Sequence, residues 1–121
     1  MCSLFAVLFP LKQLTRLFRA LSDNTRLRLI SLLHVRSLSV SELQEVLGVP
    51  QSVVSRQLSI LHSVKLVKWR RHGLRIRYSL SRAPLLNYPV SAFLKEVHPF
   101  FSELQADARK LEEFKGDSSA A

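Results

Sequence analysis

The sequence predicts a mainly helical domain carrying one small β-hairpin, in the order α-α-α-α-β-β-α. Three observations carry this. Apolar residues recur every three or four positions up to about residue 61 and again from residue 90, the period drops to two between residues 67 and 80, and turn residues fall at the joints. With 121 residues, 47% of them hydrophobic, the chain supports one compact core and no separate catalytic domain.

Leu11, Leu14, Phe18 and Leu21 are spaced by three, four and three, which gives a first helix with one apolar stripe and Lys12, Arg16 and Arg19 off it. Asp23 is suited to cap a second helix, about Asn24 to Val35. Leu27, Leu29, Ile30, Leu32 and Leu33 cover most of its circumference, so it is expected to be the buried central element. Ser41 is the expected cap of a short third helix with Leu43, Val46 and Leu47 inward, and Gly48 stands where a left-handed residue ends it. Pro50 suits the first turn of the next helix. From Gln51 to about Val64, Val54, Leu58 and Leu61 share one face and leave Gln51, Ser52, Ser55, Arg56 and Ser59 on or near the other. Two short helices joined by a Gly-Val-Pro turn form a helix-turn-helix.

The period then becomes two. Val67 and Trp69 alternate with Lys68 and Arg70, and Leu74, Ile76, Tyr78 and Leu80 alternate with Arg75, Arg77 and Ser79, with Arg71, His72 and Gly73 as the turn. One face is apolar and the other holds Lys68, Arg70, Arg75 and Arg77 in one plane, so the hairpin is a wing beside the helix-turn-helix. Finally Val90, Leu94, Val97, Phe101, Leu104, Ala108 and Leu111 alternate by four and three, the period of a helix packed along another, with a kink expected at Pro99. So long a stripe on so small a domain suggests a homodimer interface made from Leu11, Leu14 and Phe18 together with Val90, Leu94, Val97, Phe101, Leu104 and Leu111. The other reading of the stripe is a cap on the chain's own core.

Lys and Arg number 18 against 9 Asp and Glu, a formal charge of +9. The excess is local, since residues 46–95 carry 9 basic groups and none acidic while residues 96–121 carry 3 basic and 6 acidic. One face is therefore expected to meet a polyanion such as double-stranded DNA while another does not. The single cysteine, Cys2, excludes an internal disulfide framework and any one-protomer site of several thiolates, which makes a reducing, cytoplasmic setting the default. A redox or shared-ligand role for Cys2 rests on that one thiol alone. The apolar run Leu4 to Phe9 is far shorter than the roughly 20 residues of a membrane span and precedes Pro10. Residues 1–10 read as an arm or an unstructured start, 11–115 as the domain and 116–121 as a tail. His34, His62, His72 and His98 belong to no nucleophile elbow, phosphate loop or His-Glu-x-x-His motif, so no enzyme is expected.

Taken together, Leu21-Ser-Asp-Asn-Thr-Arg-Leu-Arg-Leu-Ile30, Glu42-Leu43 to Gly48-Val49, Ser55-Arg-Gln-Leu58 to Leu61 and Gly73 to Tyr78-Ser-Leu80 resemble the ArsR/SmtB family of bacterial winged-helix repressors over about residues 14 to 115. The resemblance implies a homodimer, binding to a near-palindromic operator and release by an effector. It also implies where departures matter. Members that sense arsenite or cadmium often carry a Glu-Leu-Cys-Val-Cys-like stretch where this chain has Ser37-Leu-Ser-Val-Ser41, and hydroxyls are poor ligands for soft ions. Members that bind zinc between their last helices use an Asp-x-His pair and a later His-x-x-Glu pair. Here Glu96, His98, Arg109 and Glu112 stand in those places, and Arg109 cannot ligate, so no metal or other cofactor is expected there and Glu96, His98 and Glu112 stay as weak candidates.

Under this resemblance Gln51, Ser52, Ser55, Arg56 and Gln57 are the candidates for base-edge and phosphate contact. Arg70, Arg71, His72, Arg75 and Arg77 are the candidates for the wing's contact with phosphate or minor groove. Pro50 replaces the usual Ser before the recognition helix, and Gln57 stands where a His is common, with an amide able to donate to and accept from adenine. The competing expectation is a winged helix used for protein contact or non-specific DNA packaging.

Overall fold

The computed structural model describes residues 11–81 and 84–114, and the side chains of all of these except 84–89. The expected arm (1–10, with Cys2) and tail (116–121) lie outside the described residues. The elements are α1 (Leu11–Leu21), α2 (Asn24–Val35), β1 (Leu38–Ser39), α3 (Val40–Leu47), α4 (Gln51–Ser63), β2 (Val67–His72), β3 (Arg75–Leu80), α5 (Pro84–Val97), a 3₁₀ turn (His98–Phe100) and α6 (Ser102–Glu113). No helix among the described residues is long and apolar enough to cross a membrane.

α2 is the central element the sequence predicts. Asp23 is extended (φ −155°, ψ 134°) and its carboxylate accepts from the Arg26 amide at 3.1 Å, which satisfies one donor of the first turn. Leu29, Ile30, Leu32 and Leu33 are buried against Leu43, Val46 and Leu47 of α3, Val54, Leu58 and Leu61 of α4, and Leu66, Val67 and Leu80 of the sheet. Burying a leucine in full stabilises by about 2 kcal/mol, so this cluster fixes where α4 and the sheet sit.

α3 is capped two residues earlier than expected. Ser39, not Ser41, is the cap: its Oγ accepts from the Glu42 amide at 3.2 Å while Glu42 Oε1 accepts from the Ser39 amide at 2.9 Å. Both serines have a Glu or Gln three residues on, and the sheet decides between them. Ser39 pairs with Arg77 and is thereby held extended, the backbone an N-cap needs. Gly48 (φ 70°, ψ 30°) ends α3 with its N–H on the Gln44 carbonyl at 2.8 Å. Pro50 lies just outside α4 as its cap rather than inside the first turn, with ψ 151° and its carbonyl accepting from Val53 and Val54. α4 ends in a Schellman motif: Lys65 (φ 65°) donates to His62 O and Leu66 to Leu61 O.

The sheet has three strands in the order β1-β3-β2, one more than the hairpin expected, because Leu38 and Ser39 add to the free edge of β3 opposite Tyr78 and Arg77. A two-residue strand is too short to show a period. In the β2-β3 ladder Trp69 faces Tyr78, Arg70 faces Arg77, Arg71 faces Ile76 and His72 faces Arg75. The turn is therefore Gly73-Leu74, not Arg71 to Gly73, and Leu74, expected in the apolar alternation, stands 99% exposed at the tip. Gly73 (φ 63°) supplies the positive φ that a two-residue hairpin turn needs first, and a one-residue slip would move Trp69 off the Tyr78 face.

The last apolar stripe is not one helix. α5 begins already at Pro84 and stops at Val97, and α6 restarts after the 3₁₀ turn. Pro99 causes the break: it has no N–H and its ring clashes with the carbonyl four residues back. Phe101 is extended (φ −122°, ψ 113°) and its carbonyl receives the Leu104 amide. The two halves fold back on the chain itself, so Val90, Leu94 and Leu111 join the core and Leu104 is buried as well. For these four residues the structure gives the cap on the chain's own core, not an open interface.

Candidate nucleic-acid interface

α4 is oriented by Val54, Leu58 and Leu61, each fully buried. That leaves Gln51, Ser52, Ser55, Arg56 and Ser59 exposed on the opposite side. The row combines one cation with amide and hydroxyl groups that donate and accept, a set suited to phosphate oxygens and base edges. Its position at the N-terminal half of α4 is set by the Gly48-Val49-Pro50 turn.

Gln57 is placed differently from its neighbours. It is half-buried, and its Oε1 accepts from Arg26 Nη1 at 2.6 Å while Arg26 Nε donates to the Ala20 carbonyl at 2.5 Å. A guanidinium only donates, so the amide atom facing it is the oxygen. In this arrangement Arg26 occupies one lone pair of the Gln57 oxygen and fixes the orientation of the amide. Arg26 was not singled out by the sequence reading, because its partner lies 31 residues away.

The wing divides its cations. Arg70, Arg71, His72 and Arg75 are exposed, the last three at the tip beside Gly73-Leu74. Arg77 is turned inward. Its Nη2 donates to the Ser37 carbonyl at 2.8 Å and lies 3.4 Å from Glu42 Oε1, with 10% of its side chain exposed against 2% for Glu42. Arg77 thus ties β3 to the capped start of α3. The Ser-x-x-Glu capping pattern was the one local signal for Glu42, and nothing local announces its cation.

Behind the helix-turn-helix, Arg28 makes a two-bond contact with Asp107 of α6 (2.8 and 2.9 Å) and reaches the Leu47 carbonyl at 3.4 Å. The hydrogen bond to Asp107 is the main reason that the Arg28 pKa is raised further above its ordinary value, against a smaller opposing effect of burial. Among the described residues no group of three or more His, Cys, Asp or Glu side chains comes together to hold a metal ion. Glu96 and Glu112 are exposed, and His98 sits half-buried in the 3₁₀ turn. Ser39 and Ser41 hold their hydroxyls 3.2 Å apart.

On the remaining expected interface, Leu11, Leu14, Phe18 and Phe101 are exposed and Val97 is half-buried. Phe93 and Phe100 are exposed as well and were not foreseen, because neither falls on the four-three stripe.

This architecture has known counterparts. Residues 23–68, which run from the α2 cap through the helix-turn-helix into β2, match the family model described as bacterial regulatory protein, arsR family. A Synechocystis protein named transcriptional repressor SmtB homolog is 43% identical over 76 residues, 63% of this chain and 58% of that protein, so the match spans less than two thirds of the relative's length. Among solved structures, the transcriptional repressor BigR from Xylella fastidiosa superposes with a TM-score of 0.65 at 27% identity, over 75% of this chain and 88% of that one. The solution structure of a homodimeric winged helix-turn-helix DNA-binding domain from Mycobacterium bovis gives 0.64 at 28% identity, over 72% and 79%. The fold is a winged helix-turn-helix, and the family model matches its α2 to α4 segment up to the start of the wing. The chain belongs to the arsR family of bacterial regulatory proteins.

Proposed function

We propose that this protein is a sequence-specific, homodimeric transcriptional repressor and not an enzyme, acting in the cytoplasm on a near-palindromic operator and released by an effector. The observation that carries the reading is the exposed row Gln51, Ser52, Ser55 and Arg56, held outward by a fully buried opposite face, together with the exposed wing cations Arg70, Arg71 and Arg75. Two copies of α4 enter successive major grooves about 10 bp apart, and Arg71, His72 and Arg75 contact backbone or minor groove beside them. The names of the relatives, several of them repressors, support the same reading. The dimer covers Leu11, Leu14, Phe18 and Phe101 with the half-buried Val97, joined by Phe93 and Phe100.

The test is binding of the protein to the DNA upstream of its own gene, against a random duplex of equal length at near-physiological salt. Preference for the upstream DNA by orders of magnitude, lost in Arg56→Ala, is the expected result. Equal, salt-sensitive binding to both duplexes would replace the repressor with a packaging protein.

A further inference from the structure

Between the end of α2 and the wing lies a groove of about 560 Å³ whose lining includes His34, Arg36, Lys68, Arg70, Trp69 and Ser91. Ser37, Arg77 and Ser79 complete its polar wall, and no acidic residue lines it among the described residues. Arg77 is already balanced by Glu42. Lys68 and Arg70 project from the same face of β2, two residues apart, toward a wall that carries Arg36. Arg36 donates through Nη2 to the Phe114 carbonyl at 3.2 Å, while its Nε is buried and has no acceptor among the described residues. A buried charged donor without an acceptor is costly, and no carboxylate in the groove's lining balances Arg36. The surroundings are positive as well: the His34 imidazole is held below its ordinary pKa, first by partial burial and then by His98 and Lys95.

We propose that this groove is a binding site for a small phosphorylated ligand with two or more negative charges, and that its occupation weakens DNA binding. Two guanidinium forks, one ammonium and the hydroxyls of Ser37, Ser79 and Ser91 form a donor set suited to tetrahedral phosphate oxygens. The volume is that of an ordinary small-molecule site. Arg70 and His72 belong both to this lining and to the wing that meets DNA, so a bound polyanion neutralises part of the surface that attracts the operator. This rests on the repressor reading only for its consequence; the binding site itself stands without it.

The experiment uses the full chain and its single tryptophan, Trp69, which lines the groove and is 48% exposed. Pyrophosphate, citrate and chloride are titrated at matched ionic strength while Trp69 fluorescence is followed. The expected result is a saturable change with pyrophosphate, a weaker one with citrate and none with chloride. Arg36→Gln and Lys68→Gln should each weaken pyrophosphate about tenfold, the loss of one hydrogen bond to a charged group, while leaving operator affinity as it was. Lys68 is exposed, so its variant tests the site even where Arg36→Gln impairs folding. Arg56→Ala should do the reverse, losing operator and keeping pyrophosphate, so failure of the repressor reading and failure of the site are told apart. No saturable change, equal responses to the three anions, or operator affinity lost together with pyrophosphate in the groove variants would each overturn the proposal, the last by assigning the groove to the DNA backbone.

Discussion

Glu42 shows how much rests on a single carboxylate. It is 2% exposed, closes the capping box with Ser39 and faces the Arg77 guanidinium, so it serves a helix end and a strand at once. Glu42→Ala would leave a nearly covered cation without its partner and should cost about 3–5 kcal/mol, read as a lower urea midpoint. The pattern Ser-x-x-Glu is visible in sequence, yet Ser41 fits the same pattern with Gln44, and only strand pairing picks Ser39. His34 gives a second expectation. Its folded pKa is lowered by burial, His98 and Lys95, so as pH falls through its ordinary value of 6.5 the unfolded chain takes up the proton first. Stability therefore drops as pH falls from neutrality until folded His34 protonates too. His34→Gln should lose less between pH 7.5 and 5.5 in thermal melts.

The two ends of the helix-turn-helix make opposite predictions about backbone strain. Gly48 and Lys65 both hold positive φ, 70° and 65°, at the ends of α3 and α4. Nothing lies within 4 Å of a Cβ built at Gly48, so Gly48→Ala meets strain rather than a clash and should cost about 1 kcal/mol. Lys65→Gly relieves the same strain and should gain up to about 1 kcal/mol by chemical denaturation. A gain at position 48 would show that the turn can reach another conformation. The helices α1 to α4 were legible because three-four periodicity marks each of them, while the cap of α3 is Ser39 and not the expected Ser41. β1 and the Gly73-Leu74 turn were not, since a two-residue strand has no period and the position of the turn follows from the cross-strand register.

At the scale of the molecule the open question in the sequence was what covers the last apolar stripe. The break at Pro99 lets α5 and α6 fold back separately, which buries Val90, Leu94, Leu104 and Leu111 within the chain and leaves Phe18 61% exposed together with Leu11, Leu14, Phe93, Phe100 and Phe101. Phe18→Glu puts a charge into the proposed subunit contact at a side chain that is largely exposed within one protomer. It should give a monomer by sedimentation at micromolar concentration, with folded far-UV dichroism and operator affinity at least about tenfold weaker. A dimer with unchanged affinity would move the interface elsewhere. Composition and period determined the winged helix-turn-helix, its central buried helix and the outward row on α4, because each follows from neighbours within about four residues of one another. The tertiary structure alone decided that Arg77 and Gln57 are held by Glu42 and Arg26, that four stripe residues belong to the core, and that the wing closes a cationic groove. Those pairings join residues 31 to 35 positions apart or more, and no local preference of the chain encodes which distant charge will meet which.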